Sequence, residues 1–353
     1  MSVVDLELAS GWKQVAPRSD GPELLLEMDG QLSHVRGNFE VLKDFGKVGL
    51  VACPLAYDAQ RREVYRYVCE YRSGQRDFSQ IRIFNLDTGD RRKLIDLPVN
   101  QWLLWLFEWI SLESAGGGRL FGLLASDVSS EDALVLRHQL CVLDPETDAI
   151  LRRPLCRDAY YPIAFSLARR RIVFAGAEGV YVVGMKGERH ATVQFDDFAA
   201  GRGASFAPGG RTEVVIGGGG LRLWNYATNQ VSRLTQQGQF PTWSADGEHI
   251  WYSESSSDLF VYATNTLEAE WIVRIPNNRN REVSMARPPQ LSRCGRYVGV
   301  PLSSKRLKGV SRSLLDAGKR ERVYEESHLF CVVDVERKEV WVRPDRVEQF
   351  RWV

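Results

Sequence analysis

Leu221-Arg-Leu-Trp-Asn-Tyr-Ala-Thr-Asn229 and, a few residues on, Phe240-Pro-Thr-Trp-Ser-Ala-Asp-Gly-Glu-His-Ile250 decide the architecture of this chain. In the first, apolar residues alternate and run into a turn-forming cluster, which predicts a strand followed by a turn. In the second, Asp246-Gly247 lies between two short apolar runs, which predicts a tight hairpin. Weaker copies of both recur.

Copies of the first segment are Ile81-Arg-Ile-Phe-Asn-Leu-Asp-Thr-Gly89, Leu140-Cys-Val-Leu-Asp-Pro-Glu-Thr-Asp148 and Leu259-Phe-Val-Tyr-Ala-Thr-Asn-Thr-Leu267. Val180-Tyr-Val-Val-Gly184 and Phe330-Cys-Val-Val-Asp334 keep the first half. The starts fall at 81, 140, 180, 221, 259 and 330, so three successive gaps are 40, 41 and 38. A period near 40 with several short strands per unit points to propeller blades. The second segment recurs from Pro54, Pro162 and Pro289, with Ala204 in the same place in a further copy. Proline cannot donate to a strand ladder, so its repetition marks an edge strand, and the innermost strand of a blade is such an edge.

Pro241-x-Trp243-Ser244-x-Asp246-Gly247-x-x-Ile250 resembles the repeat of TolB-like propellers, also found in the propeller domains of prolyl-oligopeptidase-type peptidases. Leu221-Arg-Leu-Trp-Asn-x-x-Thr228 is similar to the third strand of WD-repeat proteins. The resemblance is good over 202–275, fair over 50–98 and 286–336, and poor before 50. It implies an all-β propeller. Its motifs specify blade geometry and carry no catalytic residues.

The expected organisation is one β-propeller domain over 1–353 with seven four-stranded blades. Blades two to seven span about 50–98, 102–155, 158–196, 202–236, 239–275 and 286–345. Blade one is shared by 1–49 and 346–353: Phe350 and Trp352 on one face of a terminal strand suit an inner strand that closes the ring and removes an open edge. Leu104 to Ser111 reads as the inner strand of blade three, with a buried helix over Trp102–Trp109 as the open alternative. Blade seven carries an insertion over 305–326, long for a loop in a compact domain, in which Ser313–Val323 has the makings of a short helix.

The 353 residues carry a net charge of +1, which argues against a globally steered polyanion binder and makes nucleic acid an unfavoured partner. The longest apolar run, Trp102 to Ile110, contains Glu108 and is too short to span a bilayer. The N-terminus has neither a basic segment nor an apolar core, so no signal peptide is expected. TolB-like proteins of the bacterial envelope carry one, so the expected location here is cytoplasmic, with the six cysteines as free thiols.

No Gly-x-Ser-x-Gly elbow is present. The five histidines, at 34, 138, 190, 249 and 328, form no closely spaced pair, and no metal or cofactor is expected. Gly217–Gly220 lacks the Lys-Ser/Thr of a phosphate loop and precedes a strand, so it reads as a hairpin connection. Glu108 lies among aromatics without a neighbouring acid or base.

The informative chemical feature is basic. Ile272 to Arg312 holds ten Lys/Arg, namely Arg274, Arg279, Arg281, Arg287, Arg293, Arg296, Lys305, Arg306, Lys308 and Arg312, against Glu282 alone, a local balance of +9. One reading is a solvated face paired with acids elsewhere, such as Asp5, Glu7, Asp20, Glu23, Glu27 and Asp29. The other is a binding face. Loops between strands two and three emerge on the same side as loops between blades, which groups Arg279, Arg281, Arg287, Lys305, Arg306, Lys308 and Arg312. Guanidinium groups suit carboxylate and phosphate partners. Two function classes follow. The first, favoured, is a non-catalytic module binding a protein, peptide or acidic ligand on that face. The second is a channel-type hydrolase or lyase with its site at the pore.

Overall fold

The computed structural model describes the chain except residues 1–5, 29, 48–54, 73–74, 97–100, 104–111, 117–118, 128–135, 145–148, 155–158, 167–168, 177–178, 185–187, 196–202, 255–256, 277–280, 286–287, 313–319, 344–346 and 348. Among the described residues every regular element is a strand, and the strands form seven sheets.

Two short strands, β1 (Glu7–Leu8) and β2 (Lys13–Gln14), come first. Sheet one contains β3 (Leu24–Met28), β4 (Gln31–Val35) and β5 (Val41–Lys47). Sheet two contains β6 (Leu55–Asp58), β7 (Glu63–Arg72), β8 (Gln75–Asn85) and β9 (Arg91–Asp96). Sheet three contains β10 (Gln101–Leu103), β11 (Leu112–Gly116), β12 (Arg119–Asp127), β13 (Leu136–Asp144) and β14 (Ala149–Pro154). Sheet four contains β15 (Ala159–Ser166), β16 (Arg171–Gly176), β17 (Gly179–Gly184) and β18 (Arg189–Val193). Sheet five contains β19 (Ala204–Phe206), β20 (Glu213–Gly217), β21 (Leu221–Asn225) and β22 (Gln230–Arg233). Sheet six contains β23 (Gln239–Trp243), β24 (His249–Ser253), β25 (Asp258–Ala263) and β26 (Glu268–Arg274). Sheet seven contains β27 (Arg281–Met285), β28 (Gln290–Leu291), β29 (Tyr297–Arg312), β30 (Arg320–Asp334) and β31 (Glu339–Arg343). The last strand, β32 (Gln349–Trp352), returns to sheet one.

Local chemistry explains the hairpins. Pro162 and Pro241 sit in β15 and β23, each paired on one side only, where a missing N–H costs no ladder bond. At the β23–β24 turn, Gly247 adopts φ +75°. Ser244 Oγ donates to Asp246 Oδ1 at 2.5 Å, and the Glu248 amide donates to the same oxygen at 2.9 Å. Gly218, Gly219 and Gly220 have φ of 131°, 62° and 119° and join β20 to β21, so this run is a hairpin connection.

Shared cores join sheets four to five, five to six, six to seven and one to two. Trp224 of sheet five packs with Val173, Val182 and Ile163 of sheet four. Trp243 of sheet six packs with Val215 and Leu221 of sheet five. Trp251 and Ile272 of sheet six pack with Val298, Leu329 and Val340 of sheet seven. Sheets one and two share Leu25, Phe45, Val64 and Phe84. They also share a fully buried ion pair: Arg66 Nε donates to Glu27 Oε2 at 3.0 Å, and Nη2 donates to Glu27 Oε1. Burying both charges is tolerable because two guanidinium donors of Arg66 align with the two carboxylate oxygens of Glu27.

Both chain ends are stitched in. β32 pairs antiparallel with β3, with Leu24 opposite Trp352 and Leu26 opposite Phe350. Phe350 is buried against Phe330, ring centroids 4.7 Å apart. Gly299 makes room for this, since a Cβ there would come within 2.5 Å of the Phe350 ring.

Three expectations are corrected. The N-terminal residues do not serve sheet one alone: β1 pairs with β26 and β2 pairs in parallel with β31, so the segment lies along the outer edges of sheets six and seven. Those outer strands otherwise present unpaired backbone groups. The 305–326 insertion is strand, not loop: β29 continues through Arg312 and β30 begins at Arg320, so the helix expected over Ser313–Val323 gives way to strand at its C-terminal end. Residues 313–319 lie outside the described residues. Sheet three holds five strands, because β10 and β11 both pair with β12. The Leu104–Ser111 segment between them, with Glu108, lies outside the described residues.

Candidate functional site

Of the seven basic residues grouped by the sequence, Arg279 and Arg287 lie outside the described residues. The other five fall on two adjacent strands. β27 pairs with β29, placing Arg281 opposite Arg306 and Glu282 opposite Lys305. β30 pairs with the other edge of β29, placing Lys305 opposite Glu326 and Arg306 opposite Glu325. Lys308 falls at a register shift between Leu307 and Gly309, and Arg312 stands opposite Arg320.

The register divides the hairpin. Near the sheet, Lys305 has a carboxylate opposite it on both sides, and Arg306 has one on β30. Toward the tip, Arg312 faces Arg320 and Val310 faces Arg322, with Glu321 opposite Ser311 as the acid on this stretch. Directly opposed residues of an antiparallel pair share a face, and like charges in that position are unfavourable. Arg281/Arg306 and Arg312/Arg320 are two such pairs. Sequence reasoning missed Arg320 and Arg322. The only signal was that the second half of the insertion is mixed in charge rather than acidic.

Other members of the basic run are committed elsewhere. Arg274 bonds Asp258 at 3.0 Å and lies 3.9 Å from Glu7. Arg296 grips the buried Asp334 at 2.7 Å and reaches Glu336 at 3.2 Å. Its hydrogen bond to Asp334 raises the already high guanidinium pKa. Of the N-terminal acids, Glu7 meets the basic run, whereas Asp20 bonds Arg18 and Arg337, Glu23 bonds His34, and Glu27 bonds Arg66. Asp5 and Asp29 lie outside the described residues.

The inner strands surround a cavity of about 390 Å³. Its polar lining includes Ser166, Ser205, Thr242, Gln290 and Arg351. Thr242 Oγ1 donates to the Pro289 carbonyl at 2.8 Å, and Ser205 Oγ accepts from the Trp243 amide at 3.2 Å. Arg351 donates through Nε to the Leu55 carbonyl at 2.8 Å and through Nη1 to Gln290 Oε1 at 3.1 Å. Among the described lining residues no carboxylate, imidazole or thiol stands beside these hydroxyls to act as a general base.

Asp246, Glu248 and His249 bring three metal-capable atoms within 4.8 Å of one another. Burial pushes the Asp246 carboxyl up, but the hydrogen bonds from Ser244 and the Glu248 amide outweigh it and leave it below its ordinary value. Those bonds belong to the hairpin turn, which accounts for the grouping without an ion.

No family model matches the sequence, and no curated protein matches it. Solved structures do. TolB from Acinetobacter baumannii aligns over 95% of this chain and 67% of its own at 13% identity, with a TM-score of 0.44. Dihydro-heme d1 dehydrogenase NirN, in complex with DHE, aligns over 92% of this chain and 78% of its own at 14% identity, with a TM-score of 0.51. The fold is an all-β propeller. At these identities the likeness extends to the fold alone. Among the described residues no helix is long and apolar enough to cross a membrane.

Proposed function

We propose that this protein is a non-catalytic propeller module that recognises an acidic protein or peptide through the β27–β29–β30 ribbon of sheet seven. The observation that carries this reading is the pair of like-charge oppositions, Arg281/Arg306 and Arg312/Arg320. Each is unfavourable in the free protein, and a carboxylate-bearing partner offsets both. Lys308 and Arg322 add charge between them, while Arg279 and Arg287 belong to the same proposed face by chain position. The proposed domain is the whole of 1–353, supported by the β32–β3 pairing and by the cores shared between sheets. A cytoplasmic location is part of the proposal, supported by free Cys294 and Cys331.

The channel-enzyme reading is less supported, because Thr242 and Ser205 of the channel lining are engaged in hydrogen bonds and no described lining residue is a carboxylate, imidazole or thiol that could act as a base. The test is direct titration with a fluorescent Glu/Asp-rich peptide at several salt concentrations. Binding is expected to weaken as salt rises, since exposed charges act through screened attraction. The double variant Arg312→Glu/Arg320→Glu should lose binding. Lys305→Glu alone should lose less, because the residues opposite Lys305 on both neighbouring strands, Glu282 and Glu326, are already acidic. Equal loss in both, unchanged binding, or an oligonucleotide that binds more tightly than the peptide would sink the proposal.

A further inference from the structure

A second cavity, of about 570 Å³, lies between sheets six and seven. It is lined by the β23–β24, β28–β29 and β30–β31 turns, at the opposite ends of the strands from the basic hairpin. It is therefore separate from the acidic-partner face proposed above. The volume falls within the roughly 300–1,000 Å³ of small-molecule sites.

The N-terminal segment builds its outer wall. The Ala9 amide donates to the Ile272 carbonyl at 3.1 Å, on sheet six, and the Lys13 amide donates to the Lys338 carbonyl at 3.1 Å, on sheet seven. Between these anchors the Trp12 amide donates to the Ala9 carbonyl at 3.0 Å, closing a turn. Trp12 thus stands where the chain crosses from one sheet to the next, half-buried against the core the two sheets share. Its indole and that of buried Trp251 both line the cavity, with Val261, Ile272 and Val335 completing the apolar part.

The charge on the lining is negative. Asp246, Glu270 and Glu336 contribute three carboxylates. Of the two cations on the lining, Arg296 already grips Asp334, a carboxylate outside it. Arg296 also reaches Glu336 at 3.2 Å, which leaves Lys338 against the Asp246 and Glu270 carboxylates. An indole face attracts a cation through its quadrupole, and nearby carboxylates add to that attraction.

We propose that this cavity binds a small organic cation, an alkyl- or arylammonium compound, between the Trp12 and Trp251 indoles and the Glu270 and Asp246 carboxylates. The apolar floor takes the carbon body of the ligand, and the acidic rim takes its charge. A bare metal ion would leave most of the volume empty. An anion would meet the Asp246 and Glu270 carboxylates.

The experiment uses the full chain, titrated with benzyltrimethylammonium and followed by tryptophan fluorescence and calorimetry. Phenylacetate and benzyl alcohol serve as anionic and neutral probes of matching shape, and zinc ion as the metal probe. The expected result is saturable one-to-one binding of the ammonium compound, weaker at higher salt, with little binding of the other organic probes. Trp12→Ala should weaken it by about tenfold, Trp12→Phe should restore most of the affinity, and Glu270→Gln should weaken it to a lesser degree. Both positions have an exposed side, and an unchanged melting curve verifies that each variant folds. The hairpin charge reversals should leave ammonium binding unchanged, so the two sites stand or fall separately. The proposal is overturned by equal affinity for all three organic probes, by unchanged ammonium affinity in both Trp12→Ala and Glu270→Gln, or by zinc binding without ammonium binding.

Discussion

Sheets six and seven occupy consecutive places in one repeat, yet their second and third strands behave differently. β24 and β25 are 5 and 6 residues long and stop where the sheet stops. β29 and β30 are 16 and 15 residues long and run on in one ladder to Arg312 and Arg320. In sheet six Ile250, Trp251, Tyr252, Leu259 and Tyr262 of the hairpin are buried in cores shared with the neighbouring sheets, with Phe260 and Val261 packed against them. In sheet seven the portion near Val298–Leu302 is buried the same way. Beyond Lys305 the ladder continues in register to Arg312 and Arg320, through a stretch rich in charged residues. A propeller repeat therefore fixes a hairpin only as far as the core reaches.

The largest effect is expected from removing what clamps the buried half of sheet seven. Deleting residues 347–353 takes Val347, Phe350 and Trp352 from the core that also holds Tyr297, Phe330 and Trp341. It also leaves β3 as an open edge. A large fall in melting temperature is expected. By contrast, replacing 307–324 with a short Gly-Ser turn keeps the β27 pairing through Arg306 and should change stability by no more than about 1 kcal/mol. If the two deletions destabilise equally, the hairpin extension is part of the core and the division drawn here is wrong.

A smaller effect sharpens the sheet-six side. Trp243 is buried under the Arg211 guanidinium, 4.9 Å from the ring centroid. Trp243→Ala should cost about 3–5 kcal/mol in urea unfolding. Trp243→Phe should cost much less than removal of a hydrogen-bonded indole, because Trp243 Nε1 has no partner among the described residues. A Phe variant as unstable as the Ala variant would mean that Nε1 bonds a group not seen here.

The smallest effect is a pH dependence in sheet one. Burial holds the His34 imidazole below its ordinary value, against the hydrogen bond at 2.8 Å that Glu23 makes to it. A histidine depressed in the fold stabilises it fully above the unfolded value of about 6.5 and loses that contribution as pH falls through the folded value. The urea midpoint should therefore drop as pH falls below about 6.5, and His34→Gln should flatten that segment. An identical profile in the variant would show that other groups control the acid limb.

The parts of the fold legible in advance were those that depend on near neighbours. Alternation over Leu221–Asn225 and the Asp246-Gly247 turn specify strand and hairpin wherever the segment is placed. Pro162 and Pro241 marked edge strands because a missing amide is a property of the residue itself. The basic site was legible as composition but not as arrangement. Arg320 and Arg322 entered it only once the β29–β30 register was known, and Lys305 lost prominence for the same reason. Trp12 was not legible at all, since a lone tryptophan in an unpatterned stretch carries no period.

The all-β repeat follows from local chemistry alone: apolar periodicity sets which residues turn inward, and glycine, proline and Asx residues set where the chain reverses. Long-range packing places β1, β2 and β32 on strands hundreds of residues away, sets which charges oppose each other on the long hairpin, and opens a cavity behind Trp12. The reason is physical. Periodicity and turn preference act between residues a few positions apart, whereas the choice of a distant partner strand and its register depends on buried area and backbone pairing summed over both strands, and neither strand alone contains that sum.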